Sequence, residues 1–463
     1  MTAINRRTFL ASAAALAASP ALGQVPASGD VDVAIIGAGA AGIAAARRVA
    51  AAGRRFALIE ASNHIGGRCV TDTRSFGAPF DRGAHWIRQA EMNPVMRAAA
   101  KSGLDVYPVP AGQKIRIGAR HARESELETF LVSQLRASRA IAEAVRGKPD
   151  VPAARVLPKD LGDWQSTIEF ALGPFGIARD LGDVSAMDFA KLEHDSEAFC
   201  RQGYGALLAK AAEGIPVQLS TPAIAVQWGD RALEVQTPKG RITARAVIVT
   251  VSTNVLAAGK IRFSPELPAR HLDAAAKLKL GTYERIALDM PGNPLGLAPD
   301  ELVFEKSEGT DTAALLANVG RSSLCFVDIG GRFGQTVAAD GEQAMTDFAL
   351  GWLSKLYGAD FRKTVRSSQA TQWIKDPLVL GGWSSAAPGA QLARRVLMEP
   401  LRDRVYFAGE AVHETAWGTV NGAWESGERT AEAALRKMGA LKEPEKPAPK
   451  KREQKRSSKR QRN

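Results

Sequence analysis

Gly37-Ala38-Gly39-Ala40-Ala41-Gly42 follows directly on the apolar run Val31 to Ile36 and opens an Ala-rich stretch with helical spacing up to Ala52. No other feature of the chain narrows its fold as much. In a G-x-G-x-x-G turn the first glycine permits the tight bend and the second lets backbone amides approach a pyrophosphate. The third brings helix and strand together, and the helix N-terminus adds partial positive charge. Gly53 breaks the helix, and Phe56 to Ile59 reads as a second buried strand. Glu60 ends that strand, at the distance where a carboxylate grips a ribose hydroxyl pair and repels the extra phosphate of NADP. The pattern predicts a β-α-β unit for a dinucleotide and fits NAD or FAD.

Further elements are spread along the chain. A polar, Ala- and Arg-rich stretch with helical spacing fills roughly Pro94 to Lys210. Strand-like alternation returns from Val217 to Val251, with Lys239-Gly240 as a hairpin turn, and mixed segments run from about Thr282 to Lys375. Val405-Tyr406-Phe407-Ala408-Gly409 reads as a strand running into a glycine, and a helix follows from about Gly422 to Met438. Nucleotide-type elements thus occur in three separated pieces. The expected class is α/β with two domains, a Rossmann-like cofactor domain from discontinuous segments (30–88, 203–281 and 376–441) and a mixed sheet-and-helix substrate domain (89–202 and 282–375).

The second strand continues into Glu60-Ala61-Ser62-Asn63-His64-Ile65-Gly66-Gly67-Arg68. Here the sequence resembles the flavin-containing amine oxidases: polyamine and monoamine oxidases, histone lysine demethylases and L-amino-acid oxidases. The resemblance implies that this stretch wraps FAD, with Arg68 near the pyrophosphate, where a guanidinium offers forked, charge-assisted hydrogen bonds. Gly83-Ala84-His85-Trp86-Ile87 looks like a segment of polyamine oxidases. The stretch from Gln202 to Ala223 resembles the one leading to the adenine contact. Phe407-Ala408-Gly409-Glu410 and Gly418-Thr419-Val420-Asn421-Gly422 look like the closing FAD motif. The matches run in family order from about residue 30 to 440. They imply an FAD site drawn from Gly37, Ala38, Gly39, Ala41, Gly42, Glu60, Ser62, Gly67, Arg68, Gly83, Ala84, His85, Trp86, Ala223, Gly409, Glu410, Thr419 and Val420.

The implied chemistry is hydride transfer from the carbon next to an amine nitrogen to the flavin. The protein then has to hold a neutral amine, which an apolar, electron-rich aromatic box favours. By resemblance Trp383 is one wall of that box and Thr419 the second, half open where monoamine oxidases have tyrosine. Arg285 stands where the family presents a lysine that holds a water at the flavin. Arginine stays charged and cannot serve as a readily neutralised amine, so reoxidation is expected to differ from the family's, with oxygen or another compound as acceptor. Gly382 stands where covalent monoamine oxidases have cysteine, so the FAD is expected to be noncovalent. His85 is read either as a substrate hydrogen-bond partner or as structural, and Glu91, Glu193, Asp195 and Glu197 either as acids for a remote ammonium or as a solvated face. Trp417 and Trp424 are read as packing, and His194 and His413 carry no assignment.

Composition bounds the rest. The net charge of +12 sits at the ends: Lys442 to Asn463 holds ten Lys or Arg against three Glu, which suits a disordered tail and gives no reason to expect nucleic acid. Asn5-Arg6-Arg7-Thr8-Phe9-Leu10, the apolar Ala11 to Ala18 and a small-residue exit near Gly23 resemble a twin-arginine export signal within residues 1–29. The expectation is a periplasmic or otherwise exported protein handled by the twin-arginine machinery. No apolar run approaches the roughly 20 residues that span a bilayer. Cys69, Cys200 and Cys325 are too scattered for a disulfide framework or a metal site, and no metal is expected. Two other readings remain open: a flavin desaturase or protoporphyrinogen-oxidase-like enzyme, and a flavin-binding protein with little turnover.

Overall fold

The computed structural model describes residues 29–192, 196–229 and 232–441. The body of the expected export signal, the basic tail, and Glu193, His194 and Asp195 lie outside the described residues.

Strand Gly29–Ile36 lies between Phe56–Ile59 and Gly240–Val249 and runs parallel to both, and Val405–Phe407 pairs parallel with the end of Gly240–Val249. Four strands therefore end at one edge, at Ile36, Ile59, Val249 and Phe407. Beyond such carboxyl ends is where open parallel sheets gather ligands. Leu233–Thr237, Ala225–Gln227 and Arg262–Ser264 complete a seven-stranded sheet. The hairpin turn is Pro238-Lys239, with Gly240 already paired to Thr237, one residue earlier than the sequence suggests.

Both faces of this sheet are covered, so its first strand reads as an unbroken apolar run. Val33 and Ile35 join one buried cluster while Ala34 and Ile36 join another. Helices Ala40–Ala51 and Val420–Lys437 cover the first face. They meet backbone to backbone: a Cβ on Gly427 would lie 2.1 Å from the Ala41 carbonyl oxygen.

A second seven-stranded sheet runs in the order Ser367–Ala370, Tyr283–Asp289, Leu324–Gly330, Ala314–Ala317, Glu301–Glu305, Lys114–Ile117, Arg120–His121. Helices Gly331–Ala339 and Glu342–Tyr357 cover one face through Ile286, Leu288, Val327, Ile329 and Leu353. The alternating residues Arg285, Ala287, Phe326 and Asp328 point to the opposite side. Ala287 and Phe326 meet Phe80 and Phe199 there. The stretch expected to be helical from Pro94 to Lys210 does hold the long helix Glu124–Ala144, but also strands Val106–Pro108, Lys114–Ile117 and Glu197–Cys200. Their partners are distant in sequence, Val106 opposite Cys200 and Lys114 opposite Val303. Three or four residues carry no period of their own to reveal this.

Candidate active site

The turn after the first strand is built for a backbone-lined pocket. Gly37 has φ +104°, and a Cβ on Gly42 would lie 1.8 Å from the Gly37 carbonyl oxygen. Helix and turn therefore touch where no side chain fits. The helix that follows starts at Gly39 without a side-chain cap, so its first-turn amides are open to an anion. Glu60 is held at the end of its strand by Ala38 N–H on one oxygen (2.7 Å) and Ser62 N–H on the other (2.8 Å). The Ser62 hydroxyl itself donates to the His64 carbonyl. Thr221 N–H donates to the Glu60 carbonyl and Ser220 N–H to that of Ser62; two residues after Thr221, Ala223 packs against the sheet core.

Gly66 N–H donates to the Ala38 carbonyl, and Gly67 sits against Gly39, so the double-glycine turn closes over the first one. Arg68 Nη1 then donates to the Gly382 carbonyl (2.6 Å) and to Glu410 Oε1 (3.0 Å). Among the described residues its Nε and Nη2 have no protein acceptor, which leaves a fork for phosphate oxygens. The Arg68 carbonyl accepts from Ala84 N–H and so fixes Gly83 and Ala84 beside it.

Glu410 is the hub. One oxygen accepts from Arg68 and Ser384 N–H, the other from the Ser384 hydroxyl (2.8 Å) and Gly418 N–H (3.0 Å). Arg394, fully buried, donates to the Ser384 hydroxyl and forms a two-point pair with the equally buried Asp188. Sequence reasoning missed Ser384, Arg394 and Asp188. Glu410 thereby ties the Trp383-Ser384 segment to the Gly418-Thr419 turn, and a Cβ on Gly418 would meet Trp383 Cδ1 at 2.7 Å. Trp383 and Thr419 are thus neighbours. The Thr419 hydroxyl is committed as the N-cap of the closing helix, accepting from Gly422 N–H and donating to the Ala416 carbonyl. Val420 opens that helix, and Gly409 N–H is held by the Ser426 hydroxyl. Trp417 and Trp424 are both buried and packed.

Aromatic rings run from this junction in an arc. Trp383 lies 4.9 Å from Tyr283, Tyr283 6.2 Å from Phe175, and Phe175 6.5 Å from Trp86, edge to face. Tyr283 and Phe175 were not found from the sequence, because nothing in either neighbourhood marks a wall formed across more than 100 residues of chain. The Tyr283 hydroxyl donates to Asp328 (2.7 Å); burial, then the Asp328 charge, push its pKa far up and keep it a neutral phenol.

Arg285 faces Asp328 in register and binds it through two contacts of 2.8 and 3.0 Å. Its Nη1 donates to the carbonyls of Asp81 and Gly83. Burial opposes the charge, but the Asp328 carboxylate more than offsets this and raises the pKa further. The guanidinium is a fixed strut under the Gly83 segment. His85 lies in the core behind that segment, stacked on Phe199 at 4.5 Å, with Nδ1 2.8 Å from Asp81 and Nε2 unpartnered among the described residues. Glu197 pairs with Arg88, Glu91 is exposed, and His413 contacts Glu425. Among the described residues no cluster of His, Cys, Asp or Glu could hold a metal ion.

The open amides after Gly39, the Glu60 carboxylate and the free fork of Arg68 fit the phosphates and ribose of a dinucleotide. A protein-family model described as flavin containing amine oxidoreductase matches residues 40–435. Lysine-specific histone demethylase 2 of Homo sapiens is 26% identical over 443 residues, covering 86% of this chain and 53% of that protein. Polyamine oxidase 3 of Oryza sativa subsp. japonica is 24% identical over 439 residues, covering 86% of this chain and 88% of that one. The chain spans about half the length of the demethylases it matches. Cyclohexylamine oxidase from Brevibacterium oxydans IH-35A superposes with a TM-score of 0.74 at 21% identity, covering 89% of this chain and all of that one, a likeness of fold. The glycine-lined turn, the fold built on two seven-stranded sheets and a family match over most of the chain agree: this chain belongs to the flavin-containing amine oxidoreductase family.

Proposed function

We propose that the chain is an amine oxidase that takes hydride from the carbon bonded to an amine nitrogen, leaving an imine that water hydrolyses to a carbonyl compound and ammonia or a smaller amine. Noncovalent FAD, when bound, supplies the hydride acceptor. The observation that carries this reading is the arc Trp86, Phe175, Tyr283, Trp383, which ends at the Gly418-Thr419 turn where the Arg68–Glu410 hub closes the cofactor cradle.

An apolar slot of this kind penalises an ammonium and favours the neutral amine, whose lone pair assists loss of hydride. The ring faces keep some attraction for the nitrogen as it gains positive character. Tyr283 stays a phenol held by Asp328 and serves as a wall. Trp383 is kept against Gly418 by the carboxylate of Glu410, which holds the Trp383 and Thr419 walls at a fixed spacing. Arg285 has no proton to give and sets the position of the Gly83-Ala84 backbone. The return of electrons passes to oxygen or another acceptor. Gly382 before Trp383, together with the burial of Cys69, Cys200 and Cys325, supports a cofactor held without a covalent bond.

The cofactor domain is assigned to 30–88, 203–281 and 376–441 and the substrate domain to 89–202 and 282–375. The protein is assigned to the periplasm or another exported location, delivered by the twin-arginine machinery through Asn5 to Leu10. The names of the rice and Brevibacterium relatives, a polyamine oxidase and a cyclohexylamine oxidase, support oxidation of an amine. Incubation with a panel of primary and secondary amines in air, or with an artificial electron acceptor, tests the reading. Release of aldehyde or ketone with ammonia or amine is expected. Turnover of carbon–carbon donors alone would overturn it.

A further inference from the structure

Helix Gln165–Phe170 widens into a π-turn over Ala171–Phe175. Pro174 inside the turn has no N–H to give to the carbonyl behind it, and its ring takes the room that wider winding provides. The chain leaves the turn through Ala178 at φ +59°. The turn is seated where the second sheet tolerates no side chain. A Cβ on Gly330 would lie 2.2 Å from the Pro174 carbonyl oxygen, and one on Gly281 would lie 2.2 Å from that of Ala178. Thr282 N–H donates to the same Ala178 carbonyl at 2.9 Å. Backbone contact therefore fixes the height of this turn above the sheet.

Phe175 is the side chain the turn delivers. Its ring meets Phe304 edge-on at 5.2 Å, Tyr283 at 6.2 Å and Trp86 edge-on at 6.5 Å, yet Phe175 stays half-buried. Tyr283 is in turn the neighbour of Trp383. A rigidly carried, half-buried ring beside Phe170, Phe304, Tyr283 and Trp86 thus stands two rings along the arc from Trp383.

We propose that Phe175 is the specificity-determining wall of the site, and that the substrate is an amine whose reacting carbon carries one compact apolar group. This rests on the amine-oxidase reading. Of the residues expected around the cofactor Phe175 meets only Trp86, edge-on at 6.5 Å, so its replacement is expected to leave flavin content near that of the wild type and to change which amines fit.

The test uses the holoprotein and the variants Phe175→Ala, Phe175→Leu and Phe175→Trp. Turnover is compared for benzylamine and 1-naphthylmethylamine. Binding is compared for aniline and 1-naphthylamine, which have no hydrogen on a carbon next to nitrogen, by perturbation of the flavin spectrum. The naphthyl-to-phenyl ratio of kcat/KM is expected to rise about tenfold or more in Phe175→Ala, less in Phe175→Leu, and to fall in Phe175→Trp. The ratio of binding constants should follow the same order. Should Phe175→Ala not fold, the Leu and Trp variants decide. Ratios within about twofold of wild type in every folded variant overturn the proposal. If no amine reduces the wild-type flavin, the functional reading falls, while the binding arm still judges whether Phe175 sets the size of the slot.

Discussion

Glu410→Gln tests the hub with the smallest change in shape. Four donors converge on the carboxylate, two per oxygen, and the side chain is 7% exposed. A carboxamide keeps one accepting oxygen and brings two donors of its own. The Ser384 hydroxyl adapts by rotating to accept, but a backbone N–H, Gly418 in one orientation and Ser384 in the other, is left facing an N–H. A buried donor left without a partner costs about 1–3 kcal/mol. Loss of the carboxylate charge opposite Arg68 weakens a charge-assisted bond by about 1 kcal/mol. The sum is about 2–4 kcal/mol. Urea unfolding of the holoprotein, followed by tryptophan and flavin fluorescence together, measures it. Glu414→Gln is the control, because its pair with Arg395 is open to solvent and worth at most about 1 kcal/mol. Flavin should leave Glu410→Gln at a lower urea concentration than it leaves the control. If the two variants unfold together and release flavin together, Glu410 does not hold the Trp383-Ser384 segment to the Gly418 turn.

Three further outcomes are expected. Gly42→Ala pushes a Cβ into the Gly37 carbonyl and should purify with little or no flavin at near-native expression, read from the visible spectrum per protein. Arg285→Met strands the buried Asp328 and should lose about 3–5 kcal/mol, whereas Arg285→Met with Asp328→Leu should recover a large part of it, measured as a double-mutant cycle. Burial pushes Cys200 and Cys325 up to about 11, and Cys69 well above its usual value. Only the thiolate alkylates, so iodoacetamide at pH 8 should label none of the three in the native protein and all three in urea, by peptide mass spectrometry.

The parallel-sheet half of the molecule is legible because its signals are local. Gly37, Gly39 and Gly42 must lie within six residues of each other, and Phe56 to Ile59 follows after a helix of fixed length, so order and spacing carry the geometry. The closing strand and helix appear at Val405–Phe407 and Val420–Lys437, close to their expected limits. The side built on the second sheet is legible in fewer places because its contacts are long-range. Trp383 is visible through a motif, but its neighbour Tyr283 lies 100 positions earlier and Phe175 more than 200 positions earlier. Asp188 and Arg394 show nothing in sequence that pairs them across the core. Short strands such as Val106–Pro108 take their register from distant partners, and an Ala- and Arg-rich composition around them reads as helix.

Anaerobic mixing of the purified holoprotein with excess benzylamine tests the central claim most directly, since it asks whether one flavin sits beside a slot that accepts an amine. The yellow absorbance of oxidised flavin should bleach in a single turnover and return when an electron acceptor is admitted. A protein that carries flavin but keeps its colour with benzylamine and with every other amine of the panel would contradict the account, as would one that binds no flavin at all.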